Sequence, residues 1–186
     1  MEFKTIYADP PWEFNDKLDD SRKKPYMTLP VDELCRLPVW SICSDDSHLY
    51  LWCPATLIDE GIKVMREWGF DFKTIIIWLK RTANWKIWFG MGHYFRNCLE
   101  FCLFGVRGKL KTLTNNTRNL IEGKKPMRHH SAKLDEMYEL IEKNSPGPYL
   151  EMFATIEREN WTSWGFEIDQ KDIRSHFKFF ADNGIL

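Results

Sequence analysis

The chain has 186 residues, of which 44% are hydrophobic and 15% aromatic, and its formal net charge is −1. This composition excludes an intrinsically disordered chain and predicts a globular protein with one sizeable core. No apolar stretch reaches the length of a transmembrane helix, and the N-terminus has no basic-then-apolar signal segment. We expect a single domain over residues 1–186, with residues 167–186 as a helical tail.

Cysteine and histidine usage argues against disulfides and metals. The five cysteines include no Cys-x-x-Cys pair; they are Cys35, Cys43, Cys53, Cys98 and Cys102. An odd number at these spacings favours reduced thiols in a cytoplasmic protein. The His129–His130 pair has no cysteine or carboxylate partner at ligand spacing, so we expect no metal.

Positive charge is concentrated in the middle of the chain. Between Leu79 and Lys133 twelve lysines and arginines stand against two acids, so this segment carries +10 and the remainder −11. A solvated surface is the ordinary explanation for a charge run, but so large an excess favours a phosphate-contacting surface. The segment therefore predicts nucleic acid as a partner.

The first predicted element is a buried parallel strand over residues 5–8, which ends at Asp9-Pro10-Pro11-Trp12. Residues just past a parallel strand lie where open α/β sheets bind ligands. If the ligand is a flat base with an amino group, the Asp9 carboxylate and the Pro10 carbonyl can each accept one N–H. Trp12 can offer a stacking face. The alternative is an ordinary strand-to-loop corner in which Asp9 caps a turn.

Hydrophobic periodicity predicts alternating strands and helices after this corner. The predicted strands cover 48–52, 72–79, 99–106 and 149–153, and the predicted helices cover 31–37, 56–68, 131–144 and 173–180. Such alternation predicts an α/β protein with a mostly parallel sheet. Lys133 falls in the first turn of its predicted helix, where its charge opposes the helix dipole unless an anion binds there.

Two loops of the basic segment are candidates for nucleic-acid contact. Residues 80–96 interleave cations, aromatics and glycines, as in a mobile loop that stacks on bases and contacts phosphates. Residues 109–130 are basic and without periodicity, which indicates a second flexible binding loop. The predicted contact residues are Lys80, Arg81, Trp85, Lys86, Lys109, Lys111, Arg118, Lys124, Lys125 and Arg128. For residues 80–96 a surface loop pinned by its tryptophans is the alternative.

A series of short motifs occurs in a fixed order along residues 5–167. The motifs are Asp9-Pro10-Pro11-Trp12, Pro25-Tyr26-x-Thr28, Leu51-Trp52, Trp68-Gly69-Phe70, Trp78-x-Lys80, Glu100-x-x-Leu103-x-Gly105-x-x-Gly108, His130-Ser131-x-Lys133, Asp135-Glu136-x-Tyr138, Glu151-x-Phe153-Ala154 and Trp161-x-x-Trp164-Gly165-x-Glu167. In this series the chain resembles the MT-A70 family of S-adenosylmethionine-dependent N6-adenine methyltransferases. The ordered series makes the resemblance specific, whereas the first motif alone does not.

The resemblance implies a Rossmann-like class I methyltransferase fold that is circularly permuted, with a mostly parallel sheet and helices on both faces. It implies that Asp9, Pro10, Pro11 and Trp12 form the catalytic motif that orients the adenine amine. It also implies S-adenosylmethionine as the cofactor, with Lys133 facing its carboxylate, and an amine that attacks the methyl in one in-line displacement. The implied cofactor-binding residues are Tyr26, Ser131, Lys133, Glu151, Phe153, Thr155, Arg158, Phe166 and Glu167.

Three positions depart from the usual pattern of the family. Thr155 stands where an arginine is usual, so a contact to the cofactor ribose is either missing or supplied by Arg158. Phe166 replaces an asparagine at the adenine end of the cofactor, and Leu134 replaces a proline. We therefore expect weaker cofactor binding than is usual in the family.

Three functions are open at this point. The first is adenine methylation of DNA, which the small size of the chain favours, and the second is the same chemistry on RNA. The third is a catalytically inactive subunit that binds nucleic acid, against which the presence of Asp9 and Lys133 argues. The chain can act alone, as a homodimer, or as a heterodimer with a related subunit.

Overall fold

A computed structural model describes residues 2–13, 28–92, 94–124 and 133–182 of the chain. The strands within these ranges are β1 (Phe3–Ala8), β2 (Cys43–Cys53), β3 (Asp71–Arg81), β4 (Leu99–Arg107), β5 (Leu120–Lys124), β6 (Tyr149–Met152) and β7 (Trp161–Trp164). The α-helices are α1 (Val31–Cys35), α2 (Ile58–Glu67), α3 (Asp135–Asn144), α4 (Phe166–Asp169) and α5 (Ile173–Asp182). None of these helices has both the length and the apolar character needed to cross a membrane.

The strands form one seven-stranded sheet in the order β5-β3-β4-β2-β1-β6-β7. β4 pairs antiparallel with β2 and β3, whereas every other neighbouring pair is parallel. The other six strands therefore end at one edge of the sheet, which we call the carboxyl edge. The mostly parallel sheet is as predicted, and the pairing of the late strand β6 with β1 agrees with a permuted Rossmann-like order.

Helices cover both faces of the sheet, as predicted. β1 supplies Ile6 to one hydrophobic core and its neighbour Tyr7 to the other. The core around Ile6 includes buried residues of α1, α2 and α5, and the core around Tyr7 includes those of α3. Because successive strand residues point to opposite faces, a strand covered on both sides reads as a continuous apolar run.

Two short strands that the sequence does not reveal complete the sheet. β5 lies inside residues 109–130, so the prediction of a structureless loop is wrong for these five residues. β5 pairs in parallel with β3, and β7 pairs in parallel with β6. Both strands are at an edge of the sheet and are short, so a local apolar pattern does not identify them.

The start of α3 differs from the prediction in a way that bears on Lys133. The helix begins at Asp135, so Lys133 precedes it and does not lie in its first turn. Asp135 and Glu136 occupy the first turn, as the helix dipole favours. The argument from an unfavourable helix dipole is therefore wrong, and the position of Lys133 has to be explained by its contacts.

The segment after β7 packs back on the sheet. Ile173 and Phe177 of α5 are buried in the core on the α1 and α2 side. Phe177 meets Trp164 of β7 edge-on, with 5.5 Å between the ring centroids. The assignment of residues 1–186 to one domain with a helical tail stays a prediction.

Candidate active site

Asp9 lies at the carboxyl edge, directly after β1, in the middle of the sheet. Its backbone N–H donates to the Met152 carbonyl at the end of β6, with an N–O distance of 3.5 Å. β1 leads to β2 on one side, whereas β6 leads to β7 on the other, so the strand order reverses beside Asp9. Open α/β sheets bind their ligands at such a reversal.

Backbone hydrogen bonds hold the turn after Asp9 in a fixed shape. The Trp12 N–H donates to the Pro10 carbonyl at 2.9 Å, and the Leu29 N–H donates to the Pro11 carbonyl at 2.8 Å. A carbonyl oxygen has two lone pairs, so that of Pro10 retains one acceptor position beside Asp9. That the Asp9 carboxylate and the Pro10 carbonyl together accept from one amine stays a prediction.

Trp12 does not offer the stacking face that the sequence predicts. Its side chain is only 4% exposed and belongs to the hydrophobic core on the α1 and α2 side. The indole Nε1–H donates to the Trp52 carbonyl at 2.9 Å. A buried indole needs such an acceptor, and this one lies at the end of β2. In this structure Trp12 anchors the turn, and its ring is closed to a base.

The Asp9 carboxylate faces the ammonium of Lys133. The distance from Lys133 Nζ to Asp9 Oδ2 is 2.9 Å, and Nζ also lies 3.3 Å from Glu100 Oε2. Burial alone lowers the pKa of Lys133, but attraction to Asp9 and Glu100 outweighs burial and raises that pKa. Burial raises the pKa of Asp9, and Lys133 opposes this shift. Lys133 therefore remains a cation beside the carboxylate.

A cavity of about 490 Å³ opens beside this ion pair. Its walls come from the turn after β1, the start of α3, the end of β6 and the segment between β6 and β7. The lining residues are Asp9, Lys133, Asp135, Tyr138, Glu142, Glu151, Phe153, Thr155, Ile156, Glu157, Arg158, Glu159 and Asn160. The cavity thus brings together Asp9 and five of the predicted cofactor residues, namely Lys133, Glu151, Phe153, Thr155 and Arg158.

Glu151 is the buried carboxyl group of the cavity. Oε1 accepts a hydrogen bond of 2.8 Å from the Tyr138 hydroxyl. Oε2 is buried and has no hydrogen-bond partner among the residues that the structure describes. Burial raises the pKa of Glu151 to about 7, against the Tyr138 hydrogen bond and the charge of Arg158, which lower it. An unpaired buried oxygen in a cavity wall is an acceptor that a ligand can use.

Arg158 lines the same cavity as Asp9 and is held by two neighbours. Its guanidinium pairs with the Asp135 carboxylate and lies over the Tyr138 ring, 3.8 Å from the centroid. Thr155, at the position where the family usually has an arginine, also lines the cavity. Phe153 has a left-handed backbone, with φ of 65°, which is uncommon outside glycine and turns the chain sharply after β6.

Four predicted cofactor residues are not placed at the cavity. Phe166 and Glu167 lie on α4 beyond β7 and are absent from the cavity wall, and the Phe166 side chain is exposed. Tyr26 and Ser131 lie outside the described residues. Their predicted roles therefore stay predictions.

Two of the predicted phosphate-contacting cations are paired with carboxylates. Lys80 pairs with Glu100, and Arg81 pairs with Glu122 through Nη2 and Oε2 at 2.7 Å. Both lie at the end of β3, beside acidic residues of the neighbouring strands β4 and β5. The charges of Lys80 and Arg81 are thus compensated within the protein, and their contact with nucleic acid stays a prediction.

The antiparallel direction of β4 separates other predicted contacts from the cavity. Lys109 and Lys111 follow β4, which ends at the edge opposite the carboxyl edge. The Lys109 backbone N–H donates to Asp46 in the first half of β2, at 2.6 Å. Lys109 and Lys111 are exposed, but they do not lie near Asp9. Arg118 is exposed and precedes β5, and Lys125 and Arg128 lie outside the described residues.

The loop after β3 does present exposed aromatic and cationic groups at the carboxyl edge. Trp85 is 57% exposed, and Lys124 Nζ at the end of β5 lies 5.5 Å from the centroid of its ring. Lys86 is also exposed. Further exposed apolar residues of this loop are Ile87, Phe89, Met91, Tyr94 and Phe95. Trp85, Lys86 and Lys124 therefore keep the surroundings that the sequence predicts for nucleic-acid contact.

Several side chains of the site have no role in the sequence-based prediction. Glu100 pairs with Lys133, Tyr138 pairs with Glu151, and Asp135 pairs with Arg158. All three belong to the ordered motifs that carry the family resemblance. Their place in these motifs marked them in the sequence. Their contacts, however, depend on strand pairing, which hydrophobic periodicity does not predict.

The open parallel sheet, the Asp-Pro-Pro-Trp turn at its carboxyl edge and the adjoining cavity define an α/β protein of the Rossmann-like methyltransferase type. Comparison with known proteins identifies the family within this class. Residues 3–167 match the MT-A70 family, and the chain belongs to that family.

Similar proteins include both large eukaryotic and bacterial members. The N(6)-adenosine-methyltransferase catalytic subunit METTL3 of Homo sapiens is 30% identical over 196 residues, covering 100% of this chain and 32% of that protein. The METTL3 subunit of Danio rerio is 32% identical over 196 residues, with the same coverage. Type II methyltransferase M.MunI of Mycoplasma sp is 29% identical over 195 residues, covering 92% of this chain and 80% of that protein. The chain thus spans about a third of the length of the METTL3 relatives.

Proposed function

We propose that this protein is an S-adenosylmethionine-dependent methyltransferase that methylates the N6 amine of adenine in nucleic acid. The observation that carries the proposal is the Asp9 carboxylate at the wall of the cavity, followed in the turn after β1 by Pro10, whose carbonyl accepts from the Trp12 N–H. Two acceptors on consecutive residues match the two N–H groups of an aromatic amine.

The cavity suits the cofactor by size and by charge. Its volume of about 490 Å³ lies within the range of about 300–1,000 Å³ for small-molecule sites. The cofactor carries a carboxylate, an ammonium and a sulfonium, and the cavity offers the Lys133 cation together with acidic side chains. The Oε2 of Glu151, which has no partner in the part of the chain that the structure describes, is available to an ammonium or hydroxyl group. When bound, the cofactor supplies the electrophilic methyl group.

We assign the cofactor contacts to the predicted residues that line the cavity. Lys133 would hold the carboxylate, because it is the lysine of the cavity wall. Glu151, Phe153 and Thr155 would line the path of the cofactor after β6. Arg158 would stand in for the arginine that Thr155 replaces, since it faces the same cavity.

The residues of the turn act by orientation and by charge. Asp9 and Pro10 would accept the two N–H groups, which makes the nitrogen more electron-rich and fixes its direction. The raised pKa of Asp9 makes its carboxylate a stronger acceptor than a solvated one. Pro11 and Trp12 would fix the turn, through the Leu29 hydrogen bond and the buried indole respectively.

We propose DNA as the preferred substrate and RNA as the alternative. The type II methyltransferase M.MunI matches this chain over most of both lengths, which supports DNA. The METTL3 relatives, named for adenosine methylation, support RNA over a shorter share of their length. Exposed Trp85, Lys86 and Lys124 at the carboxyl edge supply stacking and positive charge for either strand.

Location and assembly complete the proposal. All five cysteines are free thiols, which supports the reducing cytoplasm as the location. A homodimer or a heterodimer with a related subunit stays a prediction. An inactive subunit is the competing function, and the intact pair of Asp9 and Lys133 favours activity over it.

Transfer of labelled methyl from S-adenosylmethionine tests this function. Single-stranded DNA, duplex DNA and RNA of one sequence are compared, with Asp9→Ala as the inactive variant. Asp71→Asn, at the opposite edge of the sheet, is the control, because Asp71 contacts only exposed Lys73 among the described ion pairs. Label in DNA that depends on Asp9 supports the proposal. No label in any substrate, with a folded protein that also fails to bind the cofactor, supports the inactive subunit.

A further inference from the structure

A row of four alternating charges runs from Asp9 to the end of β3. Asp9 contacts Lys133, Lys133 contacts Glu100, and Glu100 contacts Lys80. The two oxygens of Glu100 are divided between the two lysines, Oε1 to Lys80 and Oε2 to Lys133. The row is electrically neutral as a whole, and Glu100 is its central carboxylate.

Two tryptophans lie beneath the lysines of this row. Lys133 Nζ is 4.8 Å from the centroid of the Trp52 ring, and Lys80 Nζ is 5.2 Å from that of Trp78. The two indoles meet edge-on with 6.3 Å between their centroids. Trp78 of β3 is directly opposite Glu100 of β4 in the antiparallel pair. Strand register therefore places the carboxylate between two cations that each rest on an indole.

The lysines keep Glu100 ionised although it is partly buried. Burial raises the pKa of Glu100, but the attraction of Lys133 and Lys80 outweighs burial and holds that pKa below its usual value. Lys133 itself is 14% exposed, so it depends on its two carboxylates for charge compensation. Removing one partner of a partly buried cation leaves part of its charge uncompensated, so without Glu100 Lys133 would rely on Asp9 alone.

That dependence matters for Asp9, which the proposed function requires as an acceptor. An ammonium has three N–H donors, and here it gives one to Glu100 Oε2 at 3.3 Å and one to Asp9 Oδ2 at 2.9 Å. Without Glu100 the full charge of Lys133 would be directed at Asp9. A carboxylate that is fully paired with an ammonium is a weaker acceptor for a neutral amine.

We propose that Glu100 is a positioning residue for methyl transfer, which divides the Lys133 ammonium between two carboxylates and so keeps Asp9 available to the substrate amine. Lys80 holds the second oxygen of Glu100 and fixes its direction. The effect of Glu100 on the reaction rests on the proposed function. The sharing of the Lys133 ammonium between Asp9 and Glu100 is a property of the protein alone. Lys80 thereby has a role within the site instead of at a phosphate.

The sharing of the Lys133 ammonium between two carboxylates is tested without substrate or cofactor, by measuring the chemical reactivity of each lysine. The folded protein is treated with an amine-acylating reagent, and the rate at each lysine is read by mass spectrometry. In Glu100→Gln we expect Lys133 to react about 10-fold faster than in the unchanged protein, because losing one carboxylate lowers the pKa of Lys133. Glu100→Asp should restore most of the protection. An unchanged rate at Lys133 would overturn the proposal.

Glu122→Gln is the matched control for this measurement. Glu122 pairs with Arg81, one residue after Lys80, in a similar ion pair that has no contact with Lys133 among the described ones. It should leave the acylation rate of Lys133 within about twofold of the unchanged protein, since no described partner of Lys133 changes. An equal increase in Glu122→Gln and Glu100→Gln would show a general loosening of the sheet and would overturn the specific role of Glu100.

The effect on the reaction is tested by separating kcat from KM. We expect Glu100→Gln to lower kcat about 10-fold or more, with the KM for nucleic acid within about threefold, because the change lies behind Asp9 and not on the exposed loop. Glu100→Asp should recover most of kcat. If both substitutions lower thermal stability equally and kcat falls equally, the role of Glu100 is structural and the proposal fails. If the unchanged protein transfers no methyl group, the proposed function fails, while the acylation rates still decide how Lys133 is held.

Discussion

Two carboxyl groups of the cavity differ in how their charge is compensated. Asp9 faces the ammonium of Lys133 at 2.9 Å, whereas Glu151 has the Tyr138 hydroxyl on one oxygen and no described partner on the other. Ionisation of Glu151 therefore costs free energy in the folded protein when no ligand is bound. Its pKa, raised by burial to about 7, expresses this cost.

This cost predicts a pH-dependent gain in stability for Glu151→Gln. The folded-state pKa is above the unfolded one, so protonation stabilises the protein at low pH and this stabilisation is lost as pH rises through about 7. A glutamine at position 151 does not ionise, so the variant does not lose this stability as the pH rises. Chemical denaturation should give similar free energies of unfolding at pH 5, and an advantage of about 3 kcal/mol for the variant at pH 8.

Glu139→Gln provides the comparison for this prediction, because Glu139 is an exposed residue of α3. It should show no difference between the two pH values beyond about 0.5 kcal/mol. A gain for Glu151→Gln that is equal at pH 5 and pH 8 would mean that Glu151 is not the titrating group.

At the scale of single residues, the sequence predicted which residues lie at the site better than it predicted their contacts. Asp9 and Lys133 were expected near the ligands, and both line the cavity. The burial of Trp12 was missed because its acceptor, the Trp52 carbonyl, comes from another strand. The pairing of Lys80 was missed for the same reason, since Glu100 is its neighbour only through strand register.

At the scale of elements, a buried network of hydrogen-bonded side chains joins β2 to the end of α3. The Leu110 carbonyl can only accept, so His48 Nε2–H donates to it at 3.2 Å and His48 Nδ1 accepts from the Ser145 hydroxyl at 2.7 Å. The Tyr50 hydroxyl then donates to Ser145 Oγ at 2.7 Å. One serine thus satisfies two buried side chains of β2.

We therefore predict that Ser145→Ala destabilises the protein although it removes a single oxygen. His48 Nδ1 and the Tyr50 hydroxyl would be left without partners in the core, at a cost of about 3 kcal/mol in the free energy of unfolding. Chemical denaturation measures this loss. Ser41→Ala is the control, because among the described residues the Ser41 hydroxyl bonds only the Pro38 carbonyl, in a partly buried turn, and its removal should cost about 1 kcal/mol. Equal losses for the two variants would contradict the bridging role of Ser145.

The strands β1 to β4 and β6 were predicted from the sequence, whereas β5, β7 and the direction of β4 were not. β1 to β4 have continuous apolar runs because helices cover both faces of the sheet. β5 and β7 have five and four residues, too few to show a period. The direction of β4 is not encoded in its own residues, and it decides on which edge Lys109 and Lys111 lie.

At the scale of the whole molecule, basic residues lie at both edges of the sheet, and we expect only one set to contact nucleic acid. Lys86 and Lys124 are exposed at the carboxyl edge near Trp85, whereas Lys109 and Lys111 are exposed at the opposite edge. The double change Lys86→Glu and Lys124→Glu should weaken nucleic-acid binding about 10-fold or more and reduce its salt dependence.

Lys109→Glu with Lys111→Glu alters the net charge by the same amount and is the matched control. Binding isotherms at several salt concentrations should show it within about threefold of the unchanged protein, because a distant charge is screened beyond about 10 Å. Equal losses for the two double variants would mean that net charge governs binding, or that the nucleic acid reaches both edges.

The central claim is that Asp9 and Pro10 receive the amine of adenine. The most direct measurement is the identity of the methylated nucleoside, found by enzymatic digestion and mass spectrometry after incubation with S-adenosylmethionine and DNA that contains all four bases. We predict N6-methyladenine as the product, and a loss of at least about 100-fold with Asp9→Asn, which keeps the shape of the side chain but replaces an acceptor by a donor. A methyl group on cytosine or on a ring nitrogen, or an Asp9→Asn variant of undiminished rate, would contradict the account.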